Sequence, residues 1–280
     1  MTNEIVNTDQ TKLWEGAGPF WLQEQEQLDR QLNLHNLRGI DAANPSSGEM
    51  VLDVGCGTGT STFQIAERVG PGGSVVGADI SSTMVDAANG RAEAIGTSNV
   101  SFVVADAQIH QHVQPFNLVY SRFGLMFFDD PPAAFANIRA ALKPTGRIAF
   151  VCWQTPAKNP SLSLRREAVL PLLPATPAPA PGAPGPFSLA DPDKIRALLA
   201  SAGFSSVSVE GSDAKANLGT NLDEATDSQF AIFTATANLD ATDPPLAKKA
   251  RAAIREAMTP FLGPNGVEMD SATWIVTARA

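Results

Sequence analysis

The residues best suited to chemistry in this sequence form a glycine-rich stretch, VLDVGCGTG, at residues 51–59. Glycine lets a backbone turn sharply and lets a ligand approach without meeting a side chain. The stretch follows an apolar run typical of a strand and precedes a helical pattern. The N–H groups and partial positive charge of a helix N-terminus should therefore face the ligand. This arrangement predicts a site for a nucleotide-like ligand that carries a carboxylate or a phosphate.

Three kinds of glycine-rich loop compete for this stretch. A phosphate-binding P-loop requires GxxxxGK[ST], and the absence of a Lys here excludes it. A dinucleotide fold requires GxGxxG, whereas Gly55, Gly57 and Gly59 are spaced as GxGxG and Thr60 stands at the remaining position. The third kind has GxGxG with an acidic residue two positions upstream, here Asp53. It resembles motif I of class I S-adenosylmethionine methyltransferases.

Two further acidic residues follow the next two predicted strands. Asp79 ends the strand pattern VVGAD at 75–79, and Asp106 follows the third strand. A carboxylate at the position of Asp79 can accept hydrogen bonds from both ribose hydroxyls. Each residue alone could be a helix cap. Because open α/β sheets bind ligands at the carboxyl ends of their strands, we expect both to meet the glycine loop around an adenosine-containing ligand.

The elements that must position these residues follow from the hydrophobic periodicity. Apolar runs of strand length alternate with amphipathic helical patterns. The predicted strands of this part are 50–54, 74–78, 100–104, 116–120 and 147–153. Strands that are apolar almost throughout favour a parallel sheet covered on both faces. Right-handed crossovers then predict an α/β protein with a Rossmann-like, doubly wound sheet.

The remaining patterns divide the chain around a core at 46–153. Residues 1–45 are predicted to form a helical arm whose aromatics flank Gly16 and Gly18, and we expect it to act as a lid. Residues 154–190 are predicted to form a cap insertion, with six prolines between 174 and 186 making an extended connection. Residues 191–280 should complete the core with strands at 205–209 and 273–278, and a helical insertion over 211–270.

Charge and cysteine content exclude several classes of function. The formal net charge is −9 and no run of Lys or Arg is present, so a nucleic-acid partner is not expected. Cys56 and Cys152 lack any metal-ligand spacing, and no metal is predicted. The first ten residues have no apolar signal core, and no apolar run approaches the roughly 18 residues that span a bilayer. We expect a cytoplasmic protein.

Residues 49–153 as a whole resemble class I methyltransferases of the group that includes those of ubiquinone and menaquinone biosynthesis. The motifs VLDVGCGTG, VVGADIS, ADAQ, FNLVYSRFGLMFFDDP and ALKPTGRIAFVCW occur in the order typical of that group. The resemblance implies a mostly parallel, seven-stranded sheet with a reversed terminal hairpin, helices on both faces and a helical cap. It also implies S-adenosylmethionine as cofactor and a small molecule as methyl acceptor.

The same resemblance implies roles for the cofactor-binding residues. Asp53 would help to orient the methionine amino group, and Asp79 would hold the ribose. Asp106 would accept a hydrogen bond from the adenine amino group, and Arg122 would lie near the reacting centre. The implied cofactor-binding set is Asp53, Gly55, Cys56, Gly57, Gly59, Asp79, Ile80, Met84, Asp106, Ala107, Ser121 and Arg122.

The sequence identifies neither the acceptor nor its reacting atom, which could be O, N, C or S. An acidic-Pro-Pro-Tyr motif marks some amine-methylating members, and SRFG at 121–124 stands in its place here. His110 is the first candidate for a general base, with His112 and His35 as others, and Arg122 could hold an anionic acceptor. An apolar, partly aromatic acceptor pocket is predicted from Trp14, Phe20, Trp21, Phe123, Met126, Phe127, Phe187, Phe230 and Phe233.

Two other functions remain open from the sequence. The chain could bind an adenosyl ligand without catalysing methyl transfer. It could also be an NAD-dependent oxidoreductase, because an acid that binds ribose serves both cofactors.

Overall fold

The computed structural model describes residues 4–174, 180, 182–237 and 244–280, and only the backbone of residues 236 and 237. Much of the proline-rich connection predicted over 174–186 therefore lies outside the described residues. Within the described ranges, the helices are α1 (Thr8–Gln23), α2 (Gln25–Ala43), α3 (Thr60–Val69), α4 (Ser82–Ile95), α5 (Pro131–Ala140), α6 (Pro160–Val169), α7 (Pro192–Ser201), α8 (Leu222–Ala237) and α9 (Pro244–Met258). No helix of this described part is long and apolar enough to cross a membrane.

One sheet runs through the described part of the chain in the order β3-β2-β1-β4-β5-β8-β6. Its strands are β1 (Met50–Val54), β2 (Ser74–Asp79), β3 (Val100–Val104), β4 (Phe116–Arg122), β5 (Leu142–Trp153), β6 (Ser205–Gly219), β7 (Leu262–Gly263) and β8 (Gly266–Arg279). Strands β1 to β5 pair in parallel, so their carboxyl ends meet at one edge. Strand β8 pairs antiparallel with both β5 and β6, as predicted for the reversed hairpin.

The strand count differs from the predicted seven because of β7. This two-residue strand pairs with β8 and closes a tight hairpin around Gly266, whose φ is +97°. Such a short pairing leaves no hydrophobic alternation in the sequence. Each of the seven longer strands overlaps a segment of the chain that was predicted to be a strand.

Helices cover both faces of the sheet, and β1 shows why. Val51 packs with apolar residues of α2 and α3, whereas its neighbour Leu52 belongs to the larger cluster that includes residues of α5 and α7. Successive strand residues point to opposite faces, so apolar residues at every position require cover on both sides. The doubly wound arrangement predicted from these runs is confirmed.

The hairpin of β6 and β8 is much longer than predicted. Residues 211–219 and 266–270 belong to strands, so the predicted helical insertion at 211–270 is wrong at both ends. The inward positions of β6 in this stretch are Ser212, Ala214, Ala216 and Leu218. Small and polar inward residues produce a weak alternation, which hides the strand from a sequence reading. Helices α6, α8 and α9 contribute to a separate apolar cluster against this extension.

Candidate functional site

The glycine loop joins β1 to α3, and its three glycines have φ values of +68°, +54° and +88°. L-residues with a Cβ rarely adopt these angles. A Cβ added at Gly55 would lie 2.7 Å from Gly124 Cα, and one added at Gly59 would lie 2.8 Å from the Phe102 ring. A Cβ at Gly57 would meet nothing within 4 Å. Two glycines thus allow close packing, while the middle one opens onto space that a ligand can fill.

Asp79 lies at the adjoining strand end and faces this loop. Its carboxylate accepts hydrogen bonds from the N–H of Gly57 at 2.8 Å and from the N–H of Ser81 at 3.0 Å. Burial raises the pKa of this carboxyl, although these N–H groups act in the opposite direction. The half-buried carboxylate and the open backbone of Gly57 therefore form one polar surface, which fits the ribose and methionine parts of an adenosyl ligand.

Asp53 supports the loop from inside the protein. Its Oδ2 accepts hydrogen bonds from the hydroxyls of Ser61 at 2.6 Å and Thr62 at 2.7 Å, and the residue has no exposed surface. Burial raises its pKa to about 6. Asp53 thus fixes the first turn of α3, and its predicted role toward the methionine amino group must be indirect.

Strand β4 ends in a strained turn beside the loop. Ser121 donates a hydrogen bond to the carbonyl of Val54 at 2.7 Å, so its hydroxyl ties β4 to β1. Phe123 has a φ of +62°, a conformation that costs energy for a bulky residue and often marks functional sites. Its ring stacks on Trp153 at the end of β5, with centroids 4.0 Å apart and planes 9° from parallel.

Arg122 forms an ion pair with Asp29, a residue that the sequence did not single out. Its Nη1 lies 3.3 Å from Oδ1 of Asp29 in α2, and the two side chains are only 15% and 23% exposed. Asp29 Oδ2 also accepts a hydrogen bond from Thr60 Oγ1, in the first turn of α3, at 2.7 Å. Asp29 therefore connects the arm to both flanks of the glycine loop. A single acid in a polar helix carries no sequence signal of such a role.

The arm lies along the same edge of the sheet. Trp14 contacts Phe127, with ring centroids 5.1 Å apart, and Trp21, at 5.4 Å. Glu15 accepts hydrogen bonds from Ser82 N–H at 2.5 Å and Thr83 Oγ1 at 2.6 Å. The arm thus brings aromatic side chains next to the ends of β2 and β4.

Asp106 also contacts the arm. Its carboxylate accepts hydrogen bonds from the N–H groups of Val6 and Asn7 and from the Asn7 side chain. Asp106 is only 1% exposed. Asp106, the residue predicted to bind adenine, therefore lies just after β3. Its carboxylate is hydrogen-bonded to the N-terminal segment.

Comparisons with known proteins agree with this geometry. A family model described as a methyltransferase domain matches residues 45–168. The aklanonic acid methyltransferase of Streptomyces sp. (strain C5) is 39% identical over 114 residues, which is 40% of this chain and 52% of that protein. The demethylmenaquinone methyltransferase of Lactococcus lactis is 30% identical over 140 residues, 50% of this chain and 54% of that protein. The chain spans about half the length of these relatives.

The predicted resemblance to methyltransferases is therefore confirmed over residues 45–168. Among solved structures, the YcgJ protein of Bacillus subtilis has a TM-score of 0.56 at 18% identity, covering 89% of this chain and 97% of that one. That likeness shows that the fold extends well beyond the matched domain.

The other predicted cofactor residues lie around the domain's glycine loop with different exposures. Ile80 and Ala107 are half-buried and follow β2 and β3. Cys56 is 1% exposed, and burial raises the pKa of its thiol well above the usual range. Met84 is buried and its N–H donates to Ser81 Oγ. Cys56 and Met84 are therefore buried behind the loop, whereas Ile80 and Ala107 are partly exposed at this edge.

His110 lies one turn after Asp106, and its N–H donates to the Asp106 carbonyl at 2.8 Å, but its ring contacts that of His112. Their rings contact each other at 4.7 Å, and the His112 ring contacts Phe116 at 5.1 Å. Phe116 begins β4, so this pair follows the connection toward the opposite edge of the sheet. Burial lowers the pKa of His112 to about 4. This placement disfavours His110 as the general base.

Only part of the predicted aromatic pocket lies at the site. Trp14, Trp21 and Phe127 form one group, with Phe20 on Trp21 at 5.3 Å. Phe123 lies with Trp153. Of the other members, Met126 and Phe187 belong to the main apolar cluster, against which Phe123 and Phe127 also pack, and Phe230 and Phe233 belong to the cluster of α6, α8 and α9. Their apolar character reflects packing, which a sequence pattern cannot distinguish from a pocket.

His35 is engaged with strand β8 and buried to 1% exposure. Its Nε2 lies 2.8 Å from Ser271 Oγ, and its Nδ1 lies 3.2 Å from Thr273 Oγ1. Thr273 also reaches the carbonyl of Ser212, so all contacts are satisfied when Nδ1 donates to Thr273 and Nε2 accepts from Ser271. With both nitrogens occupied, His35 cannot act directly as a general base and instead fixes α2 to the sheet.

We expect His35 to make stability depend on pH. Burial, together with the nearby charge of Arg38, lowers its pKa from 6.5 to about 4. The unfolded chain then binds a proton that the folded chain does not. Stability is therefore full above about pH 6.5 and falls as pH drops toward 4, by up to about 3 kcal/mol. Denaturant unfolding at pH 7 and 4.5 should show a smaller loss for His35→Gln than for wild type. The half-exposed His110→Gln is the control and should lose as much stability between pH 7 and 4.5 as wild type. If His35→Gln also lost as much as wild type, the assignment would be contradicted.

Two alanine variants should separate the roles of the glycines. Gly57→Ala adds backbone strain of about 1–2 kcal/mol without a clash, and its methyl group enters the ligand space. We expect about tenfold weaker binding of S-adenosylhomocysteine with modest loss of stability. Gly59→Ala adds a clash with Phe102 to the strain and should destabilise the fold by about 3 kcal/mol. Calorimetric titration and denaturant unfolding measure both. Equal loss of stability in the two variants would contradict the assignment.

Proposed function

We propose that the protein transfers a methyl group from S-adenosylmethionine to a small, apolar, partly aromatic molecule. One observation carries this proposal. The open backbone of Gly57 and the carboxylate of Asp79 lie at the same sheet edge as the aromatic group of Trp14, Trp21 and Phe127. A polar cofactor surface beside an aromatic wall suits a cofactor and an apolar acceptor that must meet.

On this proposal each strand end serves one part of the cofactor. The glycine loop and Arg122 contribute to the methionine end, Asp79 binds the ribose, and Asp106 recognises the adenine. The Arg122–Asp29 pair offers both charges in a half-buried place, which suits the carboxylate and the ammonium of an amino acid. Asp29 thus joins the proposed cofactor residues.

Methyl transfer requires the protein mainly to position the cofactor and the acceptor. The sulfonium of S-adenosylmethionine supplies an activated methyl group, and transfer is an in-line displacement at carbon. Phe123 and Trp153 form a stacked wall at the ends of β4 and β5 that can orient a flat acceptor. The arm covers this edge and excludes water. Since the His110 ring contacts that of His112 and both ring nitrogens of His35 are hydrogen-bonded, we propose that no histidine acts as the general base.

An acceptor screen with radiolabelled S-adenosylmethionine tests the reaction, with phenols, enolisable polyketides and quinols as the first classes. Thermal unfolding tests the cofactor. S-adenosylhomocysteine at about a hundred times its Kd should raise Tm by roughly 5 °C. A shift with NAD, and none with S-adenosylhomocysteine, would overturn the proposal. Binding without methylation of any acceptor would favour a non-catalytic binding protein.

Net charge and cysteine state bear on the compartment and the partners of the protein. We propose a cytoplasmic protein that binds no nucleic acid, in keeping with its net charge of −9 and its two free, buried cysteines. We also propose a division into an arm at 1–45, a core at 46–153, a cap segment at 154–190 and a C-terminal part at 191–280. The helices between 220 and 265 belong with the cap. No metal is proposed, so a chelator should leave activity intact.

A further inference from the structure

The N-terminal segment makes a set of hydrogen bonds that the lid hypothesis does not explain. Asn7 precedes α1 and is 2% exposed. Its side-chain Nδ2 donates to Asp106 Oδ1 at 2.8 Å and Oδ2 at 3.0 Å. Its Oδ1 accepts from the N–H of Asp129 at 2.7 Å. A single carboxamide thus bridges the ends of β3 and β4, which form opposite flanks of the site.

The carboxylate of Asp106 has no acceptor position left. Besides the Asn7 side chain, it accepts from the N–H groups of Val6 at 3.0 Å, Asn7 at 2.9 Å and Gln108 at 3.0 Å. A carboxylate offers about four lone-pair positions. These donors fill them, and the residue is only 1% exposed. A further donor, such as the amino group of adenine, can bind Asp106 only after a present donor leaves.

The Asn7 carboxamide has the same hydrogen-bonding pattern as the edge of adenine. Adenine presents an amino donor beside a ring-nitrogen acceptor. A primary carboxamide presents an NH₂ donor beside an oxygen acceptor. Here the donor meets a carboxylate and the acceptor meets a backbone N–H. These are the partners that a 6-aminopurine would require.

We propose that Asn7 is an internal substitute for adenine, which hydrogen-bonds to Asp106 and is displaced when the cofactor binds. The inference rests on the proposed function, specifically on Asp106 as the adenine ligand. Thr11 bonds to the Asn7 carbonyl through both its N–H and its hydroxyl, each at 3.0 Å. Release of Asn7 therefore loosens the first turn of α1 and links cofactor binding to movement of the arm.

The energetic consequence is a lower apparent affinity for the cofactor. A ligand that binds only the open form has its affinity reduced by the fraction of protein in that form. If the Asn7 contact is formed in about nine molecules of ten, its removal should tighten binding about tenfold. The sign of this effect distinguishes an internal competitor from a residue that supports the cofactor.

Calorimetric titration with S-adenosylhomocysteine tests the sign. We expect Asn7→Ala to bind about tenfold more tightly than wild type, and the exposed Lys12→Ala, in the same helix, to bind like wild type. Equal or weaker binding by Asn7→Ala overturns the inference, provided that wild type binds. Failure of all three proteins to bind contradicts the proposed function itself and the inference with it. Circular dichroism checks that each variant is folded.

Hydrogen exchange of wild type gives a second readout that needs no substitution. The N–H groups of Val6 and Asn7 bond to Asp106 and should exchange slowly when no ligand is added. Saturating S-adenosylhomocysteine should make them exchange several-fold faster, while the β1 amides remain protected. Slower exchange of Val6 and Asn7 on ligand binding would show that the segment clamps the cofactor, which overturns the inference.

Discussion

Replacing Asp79 with alanine should weaken the binding of S-adenosylhomocysteine at least about a hundredfold. A charged acceptor contributes about 1.5–3 kcal/mol per hydrogen bond, and a ribose offers two hydroxyls. The fold should change little because the carboxylate is half-buried and its burial opposes ionisation, as its raised pKa shows. The Gly57 N–H that it now binds lies beside the ligand space, where water can replace the carboxylate.

Calorimetric titration measures the affinity, and Asp86→Ala is a matched control. Asp86 is an exposed acid on the helix that follows Asp79, so its removal changes the net charge equally. We expect wild-type affinity in the control. If Asp79→Ala also kept wild-type affinity, its carboxylate would be only a cap for the Ser81 turn, and the ribose would have to be bound elsewhere.

Removal of residues 1–22 should lower turnover at least about a hundredfold while the methyltransferase domain stays folded. The deletion removes Trp14, which packs on Phe127, and Glu15, which holds the start of α4. Without them the reacting edge is open to water, and an acceptor loses one wall. Positioning and exclusion of water supply most of the rate in a displacement of this kind.

Labelled methyl transfer to an acceptor identified by the screen measures this effect. Trp14→Ala should produce a smaller loss of about tenfold, because the remainder of α1 still covers the edge. Lys12→Ala, which alters only an exposed pair with Asp9, should retain wild-type turnover. Full turnover by the truncated protein would mean that the arm serves packing and does not form the lid.

The parallel part of the fold was predictable because its inner strands, such as β1 and β4, are buried on both faces. Strands β1 and β3 have the predicted bounds, because each is a short apolar run whose end is marked in the sequence by Gly or by Ala-Asp. Strand β6 was underestimated because its outer half alternates small residues with charged ones. Long-range pairing with β8, absent from any local window, stabilises that half.

The site residues that belong to a local motif were predictable. Those that reach the site from a distant part of the sequence were not. Asp79 and the glycines follow from position along the strands. Asp29 and Asn7 contact the same edge from the arm, and their sequence neighbourhoods are ordinary polar helix and turn. His110 stays a prediction: its N–H donates to the carbonyl of Asp106 at that edge, while its ring contacts His112 in the connection to β4.

The long hairpin also determines how a molecule can reach the reacting edge. Strand β8 pairs with β5 from Arg147 to Trp153, and then continues beyond the sheet to carry the cap helices. The cap is thus a continuation of the sheet itself, and swinging it aside would require breaking a continuous ladder. Helix α1 of the arm is held largely by side-chain hydrogen bonds and ring contacts, whereas α2 packs into the core through Ile40 and Ala43. On the proposed function, substrates would therefore enter and leave on the side of α1, and the cap could change without altering that entrance.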